Sequence, residues 1–138
     1  MKARIALVLF ALPALALAAP VMKPGMWTLT MTVVGEGRRQ PMPAVEQCIS
    51  QKDIDDETRT LPRPAGACTL SNVQRTDDSA SYELACQNGG IMAQGRAQLR
   101  FEPDKYEGSV VMSMSEHGAS AQLTALRVYA RRIGDCSK

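Results

Sequence analysis

The sequence is poor in histidine and in aromatic residues. His117 is the only histidine, and aromatic residues make up 4% of the chain. Histidine is the usual general base and a frequent metal ligand, so a single one leaves little from which to build a catalytic or zinc centre. His117 lies in the turn-like stretch EHGAS, and the chain has no phosphate-binding loop or dinucleotide-binding motif. We therefore expect a protein that is not an enzyme, with no catalytic residue and no cofactor.

A long uncharged apolar run occurs only at the start of the chain. Two basic residues flank the beginning of the run from Ile5 to Leu17, and Ala16-Leu17-Ala18 has the small-x-small pattern of a cleavage site. The run is shorter than the about 20 residues that a membrane-spanning helix needs. These features predict a signal peptide at residues 1–18. We expect an exported, periplasmic protein that is not integral to the membrane, with a single domain at residues 19–138.

The sequence also has no large excess of positive over negative residues, or of negative over positive ones. The full chain has 16 Lys and Arg against 14 Asp and Glu. Because Lys2 and Arg4 belong to the predicted signal peptide, 14 residues of each sign remain in the exported part. A balanced charge gives no support for a nucleic-acid partner.

The four cysteines, Cys48, Cys68, Cys86 and Cys136, are widely spaced. An even number in an exported chain predicts disulfides, whereas a zinc site would bring ligands close together in sequence. The spacing leaves three pairings open. We favour Cys48 with Cys68, which would close the irregular stretch ISQKDIDDETRTLPRPAGAC, and Cys86 with Cys136, which would tie the tail to a central strand.

Apolar and polar residues alternate along most of the exported part. In the segment WTLTMTV, one face carries Trp27, Leu29, Met31 and Val33. The same period recurs in SYELACQ, IMAQGRAQLRF and YEGSVVMSM, with turn signals between the segments. This pattern is typical of antiparallel strands with one buried face. We predict an all-β antiparallel meander of about seven strands that closes as a small barrel or a curled sandwich.

Two local signals interrupt the alternation. Ser50, followed three residues later by Asp53, predicts one short helical turn after Cys48. In the last strand, the alternation changes phase near Ala125 and Leu126, which predicts a β-bulge there.

The inner face of such a sheet suggests a binding role. An apolar interior that stays open would hold a small hydrophobic molecule. We expect its lining to come from Trp27, Leu29, Leu99, Tyr106, Val110 and Met112. A non-catalytic binding or accessory protein is therefore the favoured interpretation.

Two other interpretations stay open. Met112 and Met114 share one face of a strand, and their thioethers are the soft ligands that suit copper(I). Arg127 and Arg131 share a strand face near the C-terminus, where they form an arginine stripe for a protein partner. Each has a simpler alternative: the methionines would fill the core, and the arginines would form a solvated outer face.

Two motifs at opposite ends of the exported part support a family resemblance. MKPGMW (Met22–Trp27) opens it and RRIGDC (Arg131–Cys136) closes it, with CIS at Cys48, LPRPAGAC ending at Cys68 and YEG at Tyr106 in between. This layout resembles a family of small exported proteins of Gram-negative bacteria catalogued as a domain of unknown function. The resemblance implies a location in the cell envelope and a β-rich fold, and it brings no catalytic residue.

Overall fold

The computed structural model describes residues 21–56, 58–63 and 67–137 of the chain. Its elements in chain order are β1 (Gly25–Gly35), β2 (Arg38–Pro41), β3 (Val45–Ile49), α1 (Gln51–Asp55), β4 (Ala67–Arg75), β5 (Ser79–Asn88), β6 (Ile91–Phe101), β7 (Lys105–Glu116) and β8 (Gln122–Gly134). The all-β prediction is confirmed, and so is the short helix after Cys48. The predicted signal peptide lies outside the described residues.

The strands form one antiparallel sheet in the order β2-β1-β8-β7-β6-β5-β4. β3 pairs with the first half of β1 and β2 with its second half, so these two strands form one interrupted edge. Pro41 ends β2 and Pro43 lies in the interruption, and neither proline has an N–H to donate to a ladder. The sheet curls in a sandwich-like way. It does not close, because no ladder among the described residues joins this edge to β4.

The inner face of the curl carries the core, as the alternation predicts. Ala97, Val110 and Leu126 are cross-strand neighbours on β6, β7 and β8, and their exposed fractions are 1%, 1% and 6%. Gln98 and Arg127, each one residue further along its strand, are exposed. On these strands, the period of two therefore separates an apolar inner side from a wetter outer side.

The predicted bulge at Ala125 and Leu126 was wrong. The β7–β8 ladder runs through both residues without a shift in register. Leu123 lies on the outer face and is 77% exposed. Leaving one leucine in water costs less than interrupting a long ladder, because scattered apolar side chains are common on protein surfaces. The irregularity lies at the other end of β8, opposite Met26 and Trp27 of β1.

The favoured cysteine pairing was also wrong. The structure joins Cys68 to Cys86 and Cys48 to Cys136. Cys68 and Cys86 are direct partners on adjacent strands, with their Cα atoms 4.0 Å apart. That disulfide links the edge strand β4 to β5, and the irregular stretch between Cys48 and Cys68 is not closed by a bond of its own.

A bulge in β4 brings these two cysteines into register. Near the turn, Arg75 pairs with Ala80, and continuing that register would place Cys68 opposite Gln87. The register shifts by one residue between Ser71 and Gln74, which places Cys68 opposite Cys86 instead. Asn72 lies within the shift at a positive φ of 50°, a conformation that asparagine tolerates better than most residues.

The second disulfide crosses over the end of β1. Met26 lies between Cys48 of β3 on one side and Gly134 of β8 on the other. Two strand spacings separate Cys48 from Gly134, which is too far for a disulfide. The tail after β8 provides the missing reach, since Cys136 comes two residues later and its Cα lies 5.5 Å from that of Cys48.

The two disulfides should differ in their contribution to stability. They connect residues 88 and 18 positions apart, respectively. By loop entropy, Cys48→Ala/Cys136→Ala should lower the free energy of unfolding by about 4–5 kcal/mol and Cys68→Ala/Cys86→Ala by about 3 kcal/mol. Urea denaturation under oxidising conditions measures both losses. A larger loss for the second pair, or a Cys48–Cys68 peptide in a non-reducing digest, would contradict this account.

Gly108 allows β6 and β7 to approach each other closely. A Cβ atom at Gly108 would lie 2.1 Å from the carbonyl oxygen of Gln98 and 2.7 Å from a methyl carbon of Leu99. No real Cβ tolerates such a distance to backbone, so any larger residue would push the two strands apart. Gly35 differs, since a Cβ atom at this position near the end of β1 would have no neighbour within 4 Å.

These two glycines make a matched pair of substitutions. We expect Gly108→Ala to lower the free energy of unfolding by about 1–3 kcal/mol, the usual cost of overpacking. Gly35→Ala should change it by less than about 0.5 kcal/mol, as for other surface positions. Urea denaturation measures both. Equal effects at the two sites would show that the close contact at Gly108 is not a constraint on the sheet.

Candidate binding site

The six predicted ligand-binding residues lie on the inner face of the sheet. Five of them, Trp27, Leu99, Tyr106, Val110 and Met112, are between 1% and 5% exposed and belong to the core cluster. Leu29 is half-buried and packs against that cluster. The Tyr106 ring lies 5.8 Å from the ring of Trp27 and 5.7 Å from that of Phe101, measured between centroids. The six residues therefore belong to one packed apolar layer on the inner face, which we call the floor, and Leu29 lies at its border.

The segment between β3 and β4 covers part of this floor. We call residues 51–56 and 58–63 the crossing segment, since they lead from the β3 edge toward the β4 edge of the sheet. Ser50 caps its first turn by accepting the N–H of Asp53, and the Asp53 carboxylate accepts the N–H of Ser50. This capping box confirms the signal seen in the sequence. Hydrogen bonds from Ser50 are the main cause that lowers the pKa of Asp53 to about 2.

Two apolar side chains of the crossing segment enter the core. Ile54 and Leu61 are 2% and 4% exposed, respectively. Fully burying side chains of this size contributes about 1.5–3 kcal/mol each. The segment is irregular after α1, so its position depends on these anchors rather than on a ladder.

Polar contacts fix the second half of the crossing segment. The Tyr82 hydroxyl donates a buried hydrogen bond of 2.7 Å to the carbonyl oxygen of Pro62. Burial raises the pKa of Tyr82 well above its usual value, so the hydroxyl keeps its proton and remains a donor. Arg75 donates to the hydroxyl of Thr60 at 2.8 Å, and its guanidinium lies 4.7 Å from the Phe101 ring centroid.

At the opposite edge, the inner face is incompletely covered. We call this surface the apolar strip; it consists of Leu29, Met31, Val33, Met42 and Val45. The three β1 residues are half-buried against the core. Val45 lies opposite Leu29 and is 50% exposed, and Met42 donates its backbone N–H to Met31 and is 40% exposed. An apolar surface therefore continues from the buried floor to the edge formed by β2 and β3.

Sequence reasoning missed the outer half of the apolar strip. Met42 and Val45 lie in PMPAV, where the prolines conceal the alternation. The prolines were themselves a usable signal, because proline within a strand pattern indicates an edge. That signal predicts an edge strand, whereas the pairing of Val45 with Leu29 depends on the register, which the structure supplies.

The two methionines of the copper interpretation share one strand face, as predicted. Met112 is buried at 5% exposed, and Met114 is half-buried against the same core. Met112 also contacts the sheet closely at Gly95, where a Cβ atom would lie 2.8 Å from its Cγ. In the described part of the chain, no group of three His, Cys, Asp or Glu side chains is arranged to hold a metal ion.

The arginine stripe lies on the outer face. Arg127 and Arg131 are exposed, and Arg131 lies opposite Lys105 of β7. Arg132, next in sequence, points elsewhere and donates to the carbonyl oxygen of Pro24 at 2.8 Å and to Asp135. His117 occupies the β7–β8 turn at a positive φ of 46°. The stripe is thus a basic surface separated from the apolar strip by the thickness of the sheet.

The fold and this geometry define a class of protein: a small disulfide-bonded module built on one open, curled antiparallel sheet. Within the described residues, no helix is long and apolar enough to cross a membrane. The two disulfides indicate an oxidising, exported environment.

The chain belongs to the family described as "Protein of unknown function (DUF3617)", whose model matches residues 22–136. This match confirms the family resemblance carried by the two end motifs. Comparisons with curated proteins and with solved structures found no significant match.

The anchor of the crossing segment can be tested by removing one hydroxyl. Tyr82→Phe leaves the Pro62 carbonyl buried without its donor, so we expect the free energy of unfolding to fall by about 1–3 kcal/mol. Tyr129→Phe is the matched control, because Tyr129 is 44% exposed on the outer face and should change stability by less than about 0.5 kcal/mol. Urea denaturation gives both values. A neutral Tyr82→Phe substitution would mean that the hydrogen bond does not hold the segment.

Proposed function

We propose that the protein is a periplasmic, non-catalytic binding protein that holds a small hydrophobic molecule against the inner face of its sheet. The observation that carries this proposal is the apolar strip. Leu29, Met31 and Val33 of β1 remain half-buried although they adjoin a packed core. They continue into two exposed apolar residues at the sheet edge, Met42 and Val45. A hydrophobic molecule lying on the strip would complete the coverage that the crossing segment provides at the other side.

The energetics favour an apolar occupant. Covering apolar surface contributes about 25 cal/mol per Å² removed from water. Two of the five strip residues are methionines, whose flexible thioether side chains adapt to ligands of different shape. The packed floor beneath them, which includes Trp27 and Tyr106, offers a support that does not have to rearrange on binding.

This placement refines the predicted site. The ligand would not enter the cluster formed by Val110, Met112 and their neighbours, because that cluster is already filled. The ligand would lie on the apolar strip, which includes Leu29, and the buried residues would form the layer beneath it. Of the predicted set, Leu29 is then the residue in direct contact.

The periplasmic location and the non-catalytic role rest on several supports. Two disulfides suit an oxidising compartment, and the sequence predicts a signal peptide before the domain. The single histidine lies in an exposed turn, on a different part of the chain from the strip.

Binding can be measured with the fluorescent apolar probe N-phenyl-1-naphthylamine. Trp27 is the only tryptophan and lies two residues before Leu29 on the same face, so energy transfer from Trp27 reports a probe on the inner face. We expect Val45→Glu to weaken binding by about tenfold, which corresponds to about 1.4 kcal/mol. Thermal unfolding of each variant confirms that the fold is intact.

Leu123→Glu is the matched control for this experiment. Leu123 is also an exposed apolar strand residue, but it lies on the outer face. Its substitution should leave probe affinity unchanged. If the wild-type protein takes up no probe, or if both substitutions weaken binding equally, the proposal fails. If the probe binds as expected, native mass spectrometry of protein purified from periplasm would identify the natural occupant.

A further inference from the structure

A concave surface lies on the outer face of the sheet, near the β4–β5 turn. It is a groove of about 860 Å³ that runs across β4, β5, β6 and β7. The side chains that matter for its chemistry are Gln74, Ser81, Gln98, Arg100, Glu107 and Ser109. All six are polar or charged. The apolar strip, by contrast, belongs to the inner face, so the groove is a separate candidate site.

Short side chains form the middle of the groove. Ser81 lies directly opposite Gln98, and Gln98 lies directly opposite Ser109, so three neighbouring strands contribute one polar row. Gly108 keeps β6 and β7 close at this point, since a Cβ atom there would meet the Gln98 carbonyl. Two serines beside longer residues leave room above the row, which is the origin of the concavity.

Three charged residues line the groove, and one of them, Arg75, is engaged with Thr60 and the Phe101 ring. The other two are Arg100 and Glu107. Arg100 and Glu107 are direct cross-strand partners, yet no ion pair joins them in the part of the chain that the structure describes. On the same face, Arg96 and Glu83 do form an ion pair, at 3.1 Å. Arg100 and Glu107 therefore present a guanidinium and a carboxylate side by side to whatever enters the groove.

This set of groups matches the chemistry of a sugar ring. Each hydroxyl of a saccharide both donates and accepts, so it needs partners of both kinds. Glu107 accepts, Arg100 donates, and the amide of Gln98 does both. Tyr129 lies opposite Glu107 on β8 and is 44% exposed, which places a flat, partly apolar ring at the border of the groove.

The same groups disfavour other ligands. An apolar molecule would bury amides, hydroxyls and charges without partners, which is costly. A polyanion such as nucleic acid would meet the carboxylate of Glu107 on the β7 side of the groove. The geometry points to a saccharide chain as the ligand of this groove, bound through its hydroxyl groups. The inference is independent of the apolar strip, which takes a different class of molecule on the opposite face.

Chemical-shift mapping of the labelled protein tests the inference with three probes. These are maltotetraose, tetra-N-acetylchitotetraose and a tetramer of a uronic acid, each titrated separately. We expect at least one to shift the backbone amides of Ser81, Gln98 and Ser109 in a saturable manner. A response to either neutral probe would support the inference, whereas a response to the uronic acid alone would show that the groove binds an anion rather than hydroxyl groups and would contradict it.

A matched pair of variants shows whether the groove is the site. Ser109→Tyr fills the groove, and Ser113→Tyr places the same ring on the same strand and face but outside the groove lining. Tyrosine is well accepted in strands, so both variants should fold. Ser109→Tyr should weaken binding by at least about tenfold by occupying the space of the ligand, while Ser113→Tyr should leave it unchanged.

The inference fails if none of the three saccharides shifts the groove amides, if the shifted amides lie outside the groove, or if both tyrosine variants weaken binding equally. Saccharide binding that survives Ser109→Tyr would likewise place the site elsewhere. Uptake of the apolar probe by the same samples reports on the strip and leaves this test unaffected.

Discussion

An antiparallel sheet with one apolar face has to keep water away from that face, and here no ladder among the described residues pairs its two edges. A closed barrel would join β4 to the β2–β3 edge by hydrogen bonds. In this protein the crossing segment takes over part of that task, with Ile54 and Leu61 inserted into the core. The hydrogen bond from Tyr82 to Pro62 then fixes irregular backbone that no ladder supports.

The disulfides act at the two edges of the open sheet. Cys68–Cys86 ties the edge strand β4 to its neighbour, and Cys48–Cys136 ties the β3 edge to the chain after β8. Edge strands are the places where a sheet frays or pairs with another chain. Both edges here are also irregular, one broken by prolines and the other bulged at Asn72, which discourages pairing with foreign strands.

The two faces of the sheet offer different chemistry at different places. On the inner face, an apolar strip emerges at the edge where the crossing segment gives no cover. On the outer face, a polar groove forms where Gly108 draws β6 and β7 together and serines leave space. The two surfaces lie on opposite faces and on different strands of the sheet, so the two proposed ligands would occupy separate places. Binding on one face need not obstruct the other, since the lining residues are distinct.

The sequence by itself determined the fold class and the inner face. Alternation with a period of two reports which side of a strand is apolar, and it alone identified Trp27, Leu29 and Leu99 as residues of one face. It also determined the capped turn at Ser50, because a capping box is a contact between residues three apart. Both patterns involve residues that are close together in the chain, so they can be read directly from the sequence.

Only the tertiary structure decided the pairing of the cysteines, the positions of the bulges and the accessible part of the inner face. Cys68 and Cys86 lie nine residues before and nine after Asp77, a symmetry that suggests a hairpin pair. Yet the turn alone sets a register in which Cys68 would miss Cys86 by one residue, and the shift at Asn72 corrects it. Alternation likewise cannot distinguish a filled core from an open one, because both have the same apolar face. Which apolar residues remain accessible depends on where the crossing segment lies, and contacts distant in sequence determine its position.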